Sequence, residues 1–401
     1  MKKRWTGMAC LVGVATLVMT SGPASASSPL DLSWKEGIRL SSEDGNFKFK
    51  AGGRLMNDWT WWANADEDVE AFLDEDLEDS VEWRRARFYV SGQIYENVHF
   101  KAQYDFAGGD ADLKDAWIAV SDVPGVGHVK AGHFKEPFSL NELTSSKYLV
   151  FLERALPNVF APGRNAGVSI YDAPMEERMT WALGAFKDVD DFGEGSGNEN
   201  YAATARLTGL PYCTDEGDLL HLGIGASVRG VDEVRYRQRP EAHFSPRFVN
   251  TDHFEADSVG LVGLEAALVQ GPASLSAEYM MSSVASDEAD DPTFHGFYIQ
   301  GGYFLTGERL AYKKSAGAFS RVKPDRNLGE EGGAGAWQVA ARYSFLDLDD
   351  ADLEGGQLQN ASVGLNWWLN PNTRMMFDYV LSDLDDVGET GAALMRLQVD
   401  F

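Results

Sequence analysis

The sequence predicts an all-β protein, a transmembrane antiparallel β-barrel of about sixteen strands, and three observations lead to that prediction. Apolar and polar residues alternate with period two in one segment after another, which sends successive side chains to opposite faces of a strand. Tryptophan, tyrosine and phenylalanine gather at segment ends, as at Trp59, Trp61 and Trp62 and again at Trp367 and Trp368, the placement of interfacial girdles. Mean hydropathy is only −0.29, and no later stretch has the ~20 successive apolar residues that a membrane-crossing helix needs.

The chain starts with an export pattern. Lys2, Lys3 and Arg4 precede an apolar run from Met8 to Met19, and Ala24-Ser25-Ala26 supplies small residues for cleavage. That order predicts a signal peptide over residues 1–26, ahead of a barrel domain over 27–401. Cleavage removes three basic residues and no acidic one. The formal charge then moves from −27 to −30, with 32 basic against 62 acidic residues. A surface so acidic repels nucleic acid. Of the two cysteines only Cys213 survives processing, so no internal disulfide can staple the exported fold.

One hairpin is legible residue by residue. Val98, Phe100, Ala102, Tyr104 and Phe106 alternate with His99, Lys101, Gln103 and Asp105. Upstream, Ala86, Phe88 and Val90 alternate with Arg85, Arg87, Tyr89 and Ser91, and Tyr95-Glu96-Asn97 makes the turn between,. Near the C terminus, Val363, Leu365, Trp367 and Leu369 give way to the turn Asn370-Pro371-Asn372 and then to Met375, Phe377, Tyr379 and Leu381. The last strand sets Met395, Leu397, Val399 and Phe401 on one face, and ends on an aromatic residue as barrels handled by the outer-membrane assembly machinery do.

Connections come in two kinds: tight turns, and long acidic stretches at Asp66 to Glu82, Asp188 to Asn200 and Asp347 to Glu354. Short turns on one side and long loops on the other fit such a barrel. The acidic stretches lack the ordered spacing of a Ca²⁺ loop and read as solvated surface. At ~23 residues per strand with its share of loop, the mature chain makes about sixteen strands.

Catalytic signatures are missing, no cofactor or metal is called for, and the chain does not read as an enzyme. His128 and His133 are five apart on one strand and so face opposite ways,. The basic residues say more. Arg54, Arg85, Arg87 and Lys101 fall on the polar phase, which in a barrel is the lumen. Arg235, Arg237 and Arg239 recur with period two, either lining an anion path or lying at an exposed strand end,. Charges in a narrow, low-dielectric passage should outweigh acidic loops screened within ~8 Å.

Several stretches together resemble the phosphate-selective porin O and P family: Gly132-His133-Phe134-Lys135-Glu136-Pro137-Phe138-Ser139, Thr144-Ser145-Ser146-Lys147 and Phe151-Leu152-Glu153-Arg154. So do Gly52-Gly53-Arg54-Leu55, Trp83-Arg84-Arg85-Ala86, Tyr303-Phe304-Leu305-Thr306-Gly307-Glu308, Val322-Lys323-Pro324, Leu365-Asn366-Trp367 and Met395-Arg396-Leu397. The resemblance implies an outer-membrane homotrimer of sixteen-stranded barrels, set in lipid and lipopolysaccharide, each with its third loop folded inward, passing small anionic solutes. It implies a loop site at Ser145, Ser146 and Arg154, lining arginines Arg54 and Arg85, lysines Lys313 and Lys323 near the tight part of the pore, and an acid at Asp115. Arg235, Arg237 and Arg239 resemble the family's arginine ladder. One position departs: where the family's phosphate binders have a lysine three residues before the serine pair, this chain has Glu142. A carboxylate there would repel phosphate, so phosphate or polyphosphate selectivity stands beside a general or cation-preferring porin. A structural or scaffold barrel, closed when isolated, is the reading from another class.

Overall fold

The computed structural model describes residues 30–64, 66–196 and 200–401; the expected signal peptide lies outside the described residues. Sixteen antiparallel strands close into a barrel. They are β1 (Phe47–Asn64), β2 (Ser80–Ile94), β3 (Val98–Asp105), β4 (Asp112–Val123), β5 (Gly127–Lys135) and β6 (Arg164–Asp172). Then come β7 (Met179–Lys187), β8 (Tyr201–Cys213), β9 (Leu219–Gly230), β10 (Ser258–Gln270) and β11 (Ala273–Ala285). The last five are β12 (Thr293–Phe304), β13 (Ala336–Asp350), β14 (Leu353–Asn370), β15 (Thr373–Leu384) and β16 (Gly388–Asp400). Each strand pairs with its sequence neighbours. β16 closes on β1 with Leu397 opposite Asn57 and Asp400 opposite Arg54. Closure leaves the sixteen without a free edge.

The seam is finished by the terminal residue. Phe401 exchanges two backbone hydrogen bonds with Gly53, at 2.6 and 3.1 Å. A Cβ on Gly52 would lie 2.4 Å from the Phe401 carbonyl oxygen, so glycine is what lets the chain end approach,. A separate hairpin, Leu30–Trp34 with Ile38–Ser42, extends the sheet along the start of β1.

Alternation maps onto the two faces of the wall. Phe88, Ile118, Val168, Leu183, Leu222 and Val363 project outward and are exposed. Such an outer belt is what hydrocarbon requires of a barrel. Trp59 and Trp61 stack at 6.0 Å near the loop end of β1, and Trp337 and Trp367 stack at 4.7 Å near the turn end of β13 and β14. These pairs mark both rims. Their chain neighbours Trp62 and Trp368 turn inward instead, Trp62 onto Phe248 and Trp368 under Arg374. Adjacent strand residues cannot share a face.

Two connections differ from the expected pattern. Asp347 to Glu354 is no loop: β13 and β14 run to Asp350 and from Leu353, so only a two-residue tip remains. Conversely, residues 305–335 form a long connection on the side where the other turns are short. In the tip, Leu346 and Leu348 still alternate with Asp347 and Asp349, so it is the carboxylates that make it read as a loop, while an inward-packed connection carries no period-two signal,.

The inner face is not uniformly wet. Residues 136–163, which join β5 to β6, pack Phe138, Leu156 and Phe160 against Val259, Leu261, Met280 and Phe294 of the wall. Leu140, Val150 and Phe151 of the same connection meet Ala318, Phe319 and Val322 of the 305–335 connection. The arc β9–β15 is thereby covered by dry packing. The arc β1–β6 keeps its charges.

Candidate functional site

A cavity of about 330 Å³ lies between β1–β6 and the 136–163 connection, and of its fifteen lining residues eight are arginine or lysine and one is acidic. The polar phase explains five of the eight: Arg54, Arg85, Arg87, Lys101 and Lys130 fall on the inward phase of their strands,. A β-bulge sets one more arginine next to the cavity, outside its lining. The β1–β2 register shifts between Met56 and Asn57, leaving Arg84 as an extra residue beside Arg85,. Both neighbours then reach Glu153, at 2.8 and 3.7 Å.

Burying so many like charges requires counter-charges placed within the wall. Arg87 pairs with Asp105 at 2.6 Å, and Asp115 holds Lys101 at 2.5 Å and Arg164 at 3.0 Å. Glu142 takes Lys135 at 2.7 Å and Arg154 at 3.0 Å. Four carboxylates, Asp105, Asp115, Glu142 and Glu153, thus stand against the eight lining cations. Among the described residues Arg54 and Lys130 have no carboxylate partner. Arg54 donates from one nitrogen to Ser145 Oγ at 3.3 Å and to Ser146 Oγ at 2.6 Å. Lys130 sits against the rings of Trp117, Phe134 and Tyr171 at 4.9–5.1 Å,.

The 136–163 connection is held by inner-face side chains. Glu278 accepts the backbone N–H groups of Leu140 and Asn141 at 2.9 and 2.7 Å, and Asp378 accepts that of Leu152 at 2.7 Å. Arg374 donates to the Leu149 carbonyl and Arg396 to that of Leu152, each at 2.7 Å. Backbone groups taken from water must find such partners. Phe138 supplies the apolar counterpart. Its ring lies over Gly225 of β9 and Gly263 of β10, which are register partners, and a Cβ on either would come within 2.9–3.0 Å of it.

The cavity continues both ways. Arg154 also lines a space of about 270 Å³ on the loop side with Arg84, Arg239, His243 and Arg247. Trp117 also lines a wider space of about 860 Å³ on the turn side with Lys48, Lys50, His99 and Lys313.

The structure gathers Arg54, Arg85, Asp115, Ser145, Ser146 and Arg154 at one cavity. Glu142 is beside it but outside its lining, turned onto Lys135 and Arg154. Burial pushes its carboxyl up, yet the two cations outweigh that and hold it down at about 2. Lys313 is in the wide turn-side space, and Lys323 is exposed away from the tight cavity. Arg235, Arg237 and Arg239 lie in the connection 231–257, not on a barrel strand, with Arg247 beside them. Burial and those three neighbours push Arg247 down to about 10. Sequence reasoning missed Arg84, Lys130, Lys135, Arg164 and Arg247 as lining residues of these cavities. Lys130 was within reach, since it shares the polar phase of β5 with His128; bulge and loop positions gave no such signal.

Behind the serines, burial pushes the Lys147 ammonium down to about 8, against the pull of Asp400 at 3.3 Å. Its charge is present below that value and lost as pH rises through it. The chloride-over-potassium permeability ratio should therefore fall between about pH 7 and about pH 9, and Lys147→Arg should flatten the curve. Reversal potentials in a chloride gradient would check this; an unchanged slope in the variant would exclude Lys147 as the titrating group.

Comparison with known proteins agrees with this architecture. The family profile described as phosphate-selective porin O and P matches residues 49–401. An uncharacterised protein of Caulobacter vibrioides is 32% identical over 390 residues, covering 92% of this chain and 76% of its own. Porin O of Pseudomonas aeruginosa is 24% identical over 396 residues, covering 88% and 87%. Among solved structures, the loop L8 deletion mutant of OmpT, an outer membrane protein of Vibrio cholerae, aligns with a TM-score of 0.57 at 10% identity, over 89% of this chain and all of that one. An anion-selective porin from Comamonas acidovorans aligns with a TM-score of 0.55 at 12% identity, over 88% and 100%. A closed sixteen-stranded wall, a charged inner passage and a profile match over nearly the whole chain lead to one conclusion: the chain belongs to the phosphate-selective porin O and P family and is an outer-membrane porin.

Proposed function

We propose that this porin is a passive, water-filled channel selective for anions of the phosphate or polyphosphate class. The observation that carries the reading is the tight cavity, where eight lining cations meet four carboxylates and Arg54 keeps nitrogens free of any protein acceptor among the described residues. Walls of low dielectric focus that residual positive charge on the passage. Ser145 and Ser146 add hydroxyl groups beside it, suited to phosphate oxygens. In this reading the 136–163 connection narrows the pore. Arg235, Arg237, Arg239 and Arg247 collect anions on the loop side, and Lys48, Lys50 and Lys313 receive them on the turn side. The protein works without catalysis, as a homotrimer in lipid and lipopolysaccharide, after export by the leader 1–26 and with 27–401 as the mature chain.

A general or cation-preferring pore is favoured by one feature, the acidic rim at Asp232, Glu255, Asp257, Asp287 and Glu288. Planar-bilayer recording of the purified protein separates the two. Anion selectivity in a potassium chloride gradient, with chloride current blocked by added phosphate, is the expected result. A reversal potential of cation-preferring sign would reject the anion reading. Silence in the bilayer would instead favour a scaffold barrel.

A further inference from the structure

The position that departs from the family pattern has a physical role in this chain. Glu142 is buried and does not line the tight cavity, whereas its two partners, Lys135 and Arg154, both do. It grips them twice. One carboxylate oxygen takes Lys135 at 2.7 Å and the other takes Arg154 at 3.0 Å. Its backbone carbonyl accepts from the Lys135 ammonium as well, and from Arg154 Nη2 at 3.0 Å. Asn158 donates to the carboxylate at 3.2 Å, and Ser139 Oγ accepts the Glu142 N–H at 3.0 Å. The negative charge is therefore turned into the loop and spent on two cations. Without it, those two cations would repel each other at the cavity wall,.

We propose that Lys135, the last residue of β5, supplies the oxyanion-facing ammonium that position 142 lacks, and that Glu142 is the positioning residue holding Lys135 and Arg154 at the cavity wall. This rests on the anion-channel reading above and names its phosphate contact. It also has the opposite sign from simple repulsion: a carboxylate that merely repels phosphate improves binding when neutralised, whereas one that orders two cations weakens binding when neutralised.

The test is phosphate block of single-channel chloride current in wild type, Glu142→Gln, Lys135→Met, Lys135→Arg and the Glu142→Gln/Lys135→Met pair. Each single loss should raise the half-blocking phosphate concentration roughly tenfold, the worth of a charge-assisted hydrogen bond. The double variant should lose less than the two single losses combined, because they share the Glu142–Lys135 contact, and any loss beyond Lys135→Met reports the Arg154 contact,. Lys135→Arg should keep the block within about twofold. Tighter block in Glu142→Gln, or additive losses in the pair, would overturn the proposal. If Glu142→Gln does not assemble, Lys135→Met and Lys135→Arg decide alone, and unchanged block in Lys135→Met overturns it. A wild-type channel that phosphate does not block at all would bring down the anion reading itself, a result distinct from any variant effect.

Discussion

Replacing Arg54 by alanine should raise the phosphate concentration that half-blocks the channel by ~10- to 150-fold, since a hydrogen bond to a charged group is worth about 1.5–3 kcal/mol. Arg54 is the lining arginine without a carboxylate partner among the described residues, and it touches both serine hydroxyls. Its loss removes a charge that no ion pair neutralises among the described residues. Seven lining cations would remain, so the preference for chloride over potassium should shrink without reversing. That split is the diagnostic part. Loss of phosphate block with anion preference retained identifies Arg54 as a binding group; parallel loss of both would reduce it to one contributor to the general field. Single-channel recording with chloride, then with phosphate added, reads both quantities.

The second large effect concerns the seat of the inward-packed connection. Phe138 is fully buried over Gly225 and Gly263, and truncating a buried phenylalanine costs about 3–5 kcal/mol. Phe138→Ala should loosen residues 136–163 from the wall, raise single-channel conductance about twofold or more, and abolish phosphate block. Gly263→Leu should do the same from the other side, by filling the space the ring occupies. The barrel itself should persist, because its ladder does not depend on that contact: both variants should keep a heat-modifiable band on gels. Unchanged conductance in both would mean that Glu278, Asp378, Arg374 and Arg396 hold the connection without the ring.

Strand-level structure was legible because a wall with lipid on one side forces strict alternation. The β2–β3 turn at Tyr95-Glu96-Asn97 and the closing strand to Phe401 follow from period two and turn chemistry alone. What covers the inner face was not legible. Glu278, Asp378 and Arg396 sit on the polar phase just as Lys101 does, yet they grip a packed connection while Lys101 lines open space. Polarity on the inner phase reports only that a side chain needs partners, and water or backbone can supply them. The site was half legible for a related reason. Arg54, Asp115, Ser145 and Ser146 follow from the resemblance, whereas the repulsion expected of Glu142 leaves out the cations it meets in the fold. Lys135 lies seven residues earlier, and its contact with Glu142 depends on how the chain turns after β5.

The covered arc from β9 to β15 has a consequence for how such a molecule can change. In the proposed channel, the packed side acts as a keel, and solutes pass along the opposite side, where the charged cavity lies, off the central axis. Alterations among Arg54, Lys101, Lys130 and Lys135 can therefore retune what is admitted while the keel stays intact, and a barrel of this plan can shift its cargo without renegotiating its fold.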